Sequence, residues 1–231
     1  MGVYSDQTRL FDPEKFASRI TMIGLGGIGN SVVPLLAKMG VRDFVVYDPD
    51  IFEARNGPTE IFYPESAVGE PKVQVMLQTL KFLFDTEFCY NEDDVLPADA
   101  IRYVAHQERV DANTELSGIV ISGVDSMNSR QEIWKAVKEH CYDIDYFVDA
   151  RSAGEVVQIF AVCPYDDKDV QNYETWLFDD SEASPLECGA RNIGYISAYI
   201  AAEVARIISL FARDETDSIE FLTNHDFGGR K

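Results

Sequence analysis

Apolar positions in this chain switch repeatedly between two spacings. Arg19 to Gly24 is a short apolar run closed by glycine, as expected of a strand buried on both faces. Directly after it, Ile28, Val32, Val33, Leu35, Leu36 and Met39 recur at helical spacing as far as Gly40, a residue suited to the left-handed turn that ends a helix. Phe44 to Tyr47 is strand-like again and is cut off by the Asp48-Pro49-Asp50 turn, which completes a βαβ unit. Pro71 opens a predicted helix through Phe84, with Val73, Met76, Leu77, Leu80 and Leu83 on its apolar side. Strands over Ile101 to Val104 and Ile119 to Ser122 follow, then a helix from about Asn128 to Cys141. Tyr146 to Ala150 and Glu155 to Val162 read as two more strands, and Ile193 to Phe211 as the longest helix. This alternation predicts one domain, residues 1–231, built as an α/β sheet with helices on both faces. Pro164 to Glu187, rich in Asp, Tyr and Ser, has no clear period and reads as a long loop.

Composition narrows the partners. With 46% hydrophobic and 12% aromatic residues the chain can bury a full core. Its formal net charge of -20, with no Lys/Arg cluster, argues against nucleic acid or an anionic membrane as the main partner. Cys89, Cys141, Cys163 and Cys188 stand apart with no Cys-x-x-Cys pair, so no zinc ribbon or dithiol motif is written here. Met1 to Arg9 lacks the apolar run of a signal peptide, and no run reaches the ~20 apolar residues of a membrane span, so a cytoplasmic setting is expected. His106, His140 and His225 have no metal-ligand spacing.

The candidate chemistry starts at Gly24-Leu25-Gly26-Gly27-Ile28-Gly29, where the first strand becomes the first helix. Glycines there allow a tight turn and bring backbone N–H groups close to phosphate oxygens, while the helix N-terminus favours negative charge. Asp48 and Asp50 end the second strand, where an acid can accept hydrogen bonds from ribose hydroxyls. Taken alone these features favour NAD as much as ATP, so a nucleotide-dependent oxidoreductase stays open at this point.

The motifs that follow decide between them. Asp48-Pro49-Asp50, then Asn56, then Gly69-Glu70-Pro71-Lys72, then Asp125-Ser126-Met127-Asn128-Ser129-Arg130 resembles, in order and spacing, the ThiF/MoeB/HesA family, bacterial relatives of the ubiquitin-activating enzymes. The resemblance runs from about Gln7 to Phe211. It implies a Rossmann-like, doubly wound, mostly parallel sheet extended by antiparallel strands. The implied reaction is ATP-dependent adenylation of a C-terminal carboxylate, on a ubiquitin-like or sulfur-carrier protein or a peptide, with release of pyrophosphate. The implied roles are Gly24, Gly26, Gly27 and Gly29 at the phosphates, Asp50 at the ribose, Asn56 and Lys72 along the phosphate chain, and Asp125 on Mg²⁺. A homodimer is also implied.

Two positions depart from or extend the pattern. Where the family often continues from Asn56 to an Arg-Gln pair, this chain reads Asn56-Gly57-Pro58-Thr59-Glu60, so Thr59 stands in the place of a phosphate-contacting arginine. Arg55, or Arg9 from a partner subunit, is the candidate substitute; without one, the chain would be a nucleotide-binding interaction module that has lost turnover. Cys188, before Gly189-Ala190-Arg191-Asn192, is a candidate acyl acceptor or a packing cysteine. Asp125 could equally cap a helix, Arg130 reads as a positioning residue, and Arg151 of Asp149-Ala150-Arg151 pairs either with a substrate carboxylate or with a surface acid.

Overall fold

The computed structural model describes residues 3–60, 62–93, 95–179 and 193–228. Along the chain run β1 (Ile20–Ile23), α1 (Gly27–Met39), β2 (Asp43–Tyr47), α2 (Lys72–Leu83), β3 (Phe88–Cys89), β4 (Ile101–His106) and β5 (Gly118–Ser122). They are followed by α3 (Met127–Glu139), β6 (Ile144–Ala153), β7 (Val156–Val162), α4 (Asp167–Glu174), α5 (Gly194–Phe211) and β8 (Leu222–Asp226). The strands form one sheet in the order β3-β4-β2-β1-β5-β6-β7-β8. From β3 to β6 every pairing is parallel; β7 and β8 add an antiparallel end.

Strand alternation sorts the core into two layers. Ile20 and Met22, Phe44 and Val46, Ile119 and Ile121, and Val148 and Ala150 face the layer that holds α1, α2 and α5. Ile23, Val45, Tyr47, Val120 and Phe147 face the opposite layer, where α3 and α4 pack through Ile133, Trp134, Val137 and Tyr173. By length and composition α5 is apolar enough to cross a bilayer, but Ile196, Ile200, Val204, Ile207 and Ile208 are buried against the sheet, as in a core helix.

Three elements were not legible from periodicity. α4 lies inside the stretch expected to be a loop; it is eight residues long, buries only Tyr173, and is started by Asp166, whose carboxylate accepts from the N–H groups of Lys168 and Asp169. β3 has two residues, and β8, Leu-Thr-Asn-His-Asp, is an edge strand with a largely solvated side, so neither shows an apolar period.

The winding of the sheet reverses beside β1: β2 and β4 are added on one side, β5 and β6 on the other, all parallel to it. A crevice opens at such a switch point, past the carboxyl ends of the strands.

Candidate functional site

A cleft of about 710 Å³ occupies that switch point. On its first wall, β1 hands over to α1 through Gly24, which sits at φ +92°, a conformation that side chains other than glycine's rarely adopt. A Cβ there would also come within 3.0 Å of the Gly123 carbonyl, so the ends of β1 and β5 close on each other. Gly26 caps α1 without a side chain, and the first turn holds no acid, so the free N–H groups of that turn meet the cleft unopposed.

Gly24, Gly26 and Gly27 line the cleft, whereas Gly29 does not. A Cβ on Gly29 would fall 2.1 Å from the Gly24 carbonyl oxygen, so this glycine serves the close packing of helix on turn. Gly29→Ala is expected to cost about 2–3 kcal/mol of stability. Gly26→Ala, with 3.9 Å to its nearest neighbour, is expected to leave the thermal midpoint unchanged. Calorimetry on the two variants checks this; equal midpoints would remove the packing account.

Asp48 fastens the turn from below. It is buried, and its carboxylate accepts from the Leu25 N–H at 2.6 Å and the Asp50 N–H at 2.8 Å. Burial pushes its pKa up against the pull of those two bonds and of Lys72. Asp50, exposed at the cleft edge, keeps its carboxylate open.

Lys72 is the first residue of α2, and a strap carries it under the cleft. The Phe52 N–H donates to Glu70 O, the Gly69 N–H to Phe52 O, and the Lys72 N–H to Asp50 O. Its ammonium lies 2.9 Å from Glu60 Oε1, and both side chains are nearly inaccessible, at 7% and 2% exposed. Burial works against the ammonium, but Glu60, Asp48 and Asp50 outweigh it and hold the lysine above its ordinary pKa. Burial raises Glu60 as well, over the opposing pull of Lys72. Thr59 and Asn56 line the same wall; the Asn56 side chain accepts from the Glu53 N–H and the Thr59 hydroxyl donates to Asn56 O.

Asp125 stands on the opposite wall, just past β5, exposed and without an ion-pair or hydrogen-bond partner among the described residues. Ser126, not Asp125, caps α3, accepting from the Ser129 N–H. One helical turn on, Arg130 donates to Asp149 Oδ1 at 3.1 Å, and Arg151 donates to Asp149 Oδ2 at 2.6 Å. The Tyr173 hydroxyl donates to Oδ2 at 2.9 Å, and the Arg151 guanidinium stacks over Phe160 at 4.5 Å. Arg151 is therefore in a buried network, neither free for a substrate carboxylate nor in a surface pair. Burial would raise Asp149, yet the two guanidiniums hold its carboxyl below the usual range.

The other predicted residues lie elsewhere. Arg9 is exposed and does not line this cleft, so it can act only at the cleft of another copy. Arg55 is 78% exposed, pairs with Glu53 and does not line the cleft. Cys188 lies outside the described residues. Sequence reasoning missed Glu60 as a participant, and missed Arg109, in the loop after β4. Among the described residues lining the cleft, Arg109 is the cation without an ion-pair or hydrogen-bond partner. No periodicity marks such a loop; only the return of the chain from β4 to β5 brings it to the cleft.

Comparison with known proteins places this geometry. The ThiF family model matches residues 5–229. The sulfur carrier protein ThiS adenylyltransferase of Escherichia coli is 31% identical over 116 residues, 50% of this chain and 43% of that protein. Ubiquitin-like modifier-activating enzyme 5 of Drosophila willistoni is 27% identical over 145 residues, 61% of this chain and 34% of that protein. The chain thus spans less than half the length of either relative. Among solved structures, Escherichia coli MccB with AMPCPP and MccA superposes with a TM-score of 0.63 at 16% identity, covering 97% of this chain and 67% of that one, a likeness of fold.

Proposed function

The chain belongs to the ThiF family, and on that premise we propose that it binds ATP in the switch-point cleft and adenylates a C-terminal carboxylate. The observation that carries this reading is the convergence on one cleft of the Gly24–Gly27 turn with Lys72 and Asp125, two residues that a merely structural glycine turn does not need. A carboxylate oxygen of the acceptor attacks the α-phosphorus, the bond from that phosphorus to the bridging oxygen breaks, and pyrophosphate leaves with its electron pair. In this cleft the α1 N-terminus meets the phosphate oxygens, Asp50 accepts from the ribose, and Lys72 offsets the charge that grows on the leaving group.

Mg²⁺ fits the donor set in one way. Among the described residues no three His, Cys, Asp or Glu side chains form a metal cage, so the cation would be one carried by the nucleotide, with Asp125 as the residue to steady it. When bound it supplies positive charge to the phosphate chain. The acceptor proposed is a ubiquitin-like or sulfur-carrier protein, or a peptide, entering along the β6–β7 side lined by Ser152, Gln158 and Phe178. The assembly proposed is a homodimer, in which Arg9 of a second copy could reach the cleft.

The test is exchange of radiolabelled pyrophosphate into ATP in the presence of Mg²⁺ and a peptide ending in Gly-Gly carboxylate. Carboxylate-dependent exchange is expected. Tight NAD binding without ATP binding overturns the reading, and ATP binding without exchange reduces the chain to a nucleotide-binding interaction module.

A further inference from the structure

Glu60 occupies the second place of the Arg-Gln pair named above, a carboxylate where the family often carries a neutral amide. It is buried, Oε1 lies 2.9 Å from the Lys72 ammonium, and Oε2 is buried with no hydrogen-bond partner among the described residues. Both residues line the cleft, and a Cβ on Gly26 would lie only 3.9 Å from Glu60 Oε1, so the pair sits directly beneath the phosphate turn. The lysine assigned to the phosphate chain is thus neutralised in the free protein, and Thr59 beside it adds no charge.

We propose that Glu60 is a positioning residue that sets the affinity of this site for a nucleoside triphosphate, holding Lys72 in a buried ion pair that the phosphate chain must break. This rests on the ATP-binding reading above. When Lys72 swings to the phosphates, Glu60 is left enclosed without its cation, and Oε2 already lacks a donor. A buried carboxylate in that position takes a proton rather than keep its charge. The groups facing it do not relieve this: Asp48 and Asp50 from the end of β2 are acids, and Tyr63 donates its hydroxyl to Lys72 O. Glu108, Arg109, Asp125 and Arg130 line the cleft as well and are the same residues in wild type and in the Glu60 variants.

Two consequences follow. Nucleotide binding consumes protons, so affinity rises as pH falls from 8 towards 6. Glu60→Gln, which keeps shape but removes the charge, frees Lys72 and abolishes that uptake. Calorimetric titration of ATP with Mg²⁺, in buffers of differing ionisation enthalpy, measures both effects on the full chain. Wild type is expected to take up protons on binding. E60Q is expected to bind roughly tenfold more tightly, as suits removal of one charged hydrogen-bond partner, with uptake near zero. Glu60→Asp, which keeps the charge, should keep the uptake. If E60Q binds no more tightly than wild type, or takes up as many protons, the inference is overturned while the ATP-binding reading stands. If neither protein binds ATP, both fall. Binding by E60Q alone supports the inference in its strongest form.

Discussion

Asp149→Ala should be the most damaging single substitution for stability, lowering it by about 3–5 kcal/mol. Asp149 is wholly enclosed on β6 and receives three donors: Arg130, Arg151 and the Tyr173 hydroxyl. Removing it leaves two buried guanidiniums facing each other with no anion between them, the arrangement for which the cost of breaking a buried pair is largest. Three elements lose a common tie, since Arg130 is on α3, Arg151 on β6 and Tyr173 on α4. For a domain of this size the loss corresponds to a fall in Tm of roughly 10 °C. Asp149→Asn, which keeps an acceptor oxygen but not the charge, should fall between the two. A Tm for the alanine variant within 2 °C of wild type would show that the arginines find solvent or other partners.

The same residue sets a pH signature. Its folded pKa is held below the unfolded value, so its contribution is present above roughly pH 4 and is lost as pH falls further towards the folded value. The gap in stability between wild type and D149A should therefore be widest near neutrality and close in acid. Asp48 and Glu60 are shifted the other way by burial, so the difference between the two proteins is the quantity to follow, not either curve alone.

That network shows where sequence reasoning stops. Asp149 and Arg151 stand two apart on a strand, hence on one face, and a pair of opposite charges at that spacing was readable. Its burial was not, because burial depends on α4, a helix whose one buried side chain leaves no apolar period. The doubly wound sheet was legible because β1, α1, β2, α2, β5 and α3 each carry a full apolar stripe. The phosphate turn was legible because it lies at a strand-to-helix junction. Lys72 and Asp125 were placed in the cleft only by their resemblance to a family, and that resemblance could not reveal that Lys72 is already paired. The pairing depends on Glu53 to Glu60 folding back beneath the turn, a long-range arrangement accompanied by the Tyr63 hydroxyl on Leu25 O and Lys72 O.

For catalysis the largest effect is expected at Asp125. Asp125→Asn should lower Mg²⁺-dependent ATP–pyrophosphate exchange by about 10²–10³-fold, the range seen when one group stabilising transition-state charge is removed. The residue has no partner among the described residues, is exposed, and leaves the capping of α3 to Ser126, so the fold has little to lose. Its stability should change by less than about 1 kcal/mol. The split between binding and turnover is the diagnostic. Without Mg²⁺ the variant should bind ATP at least as well as wild type, because a negative charge has left the cleft proposed to receive phosphates. With Mg²⁺ the advantage should pass to wild type, because only there does the cation gain a carboxylate. A structural role would move Tm and both affinities together, and exchange within threefold of wild type would take Asp125 out of the chemistry.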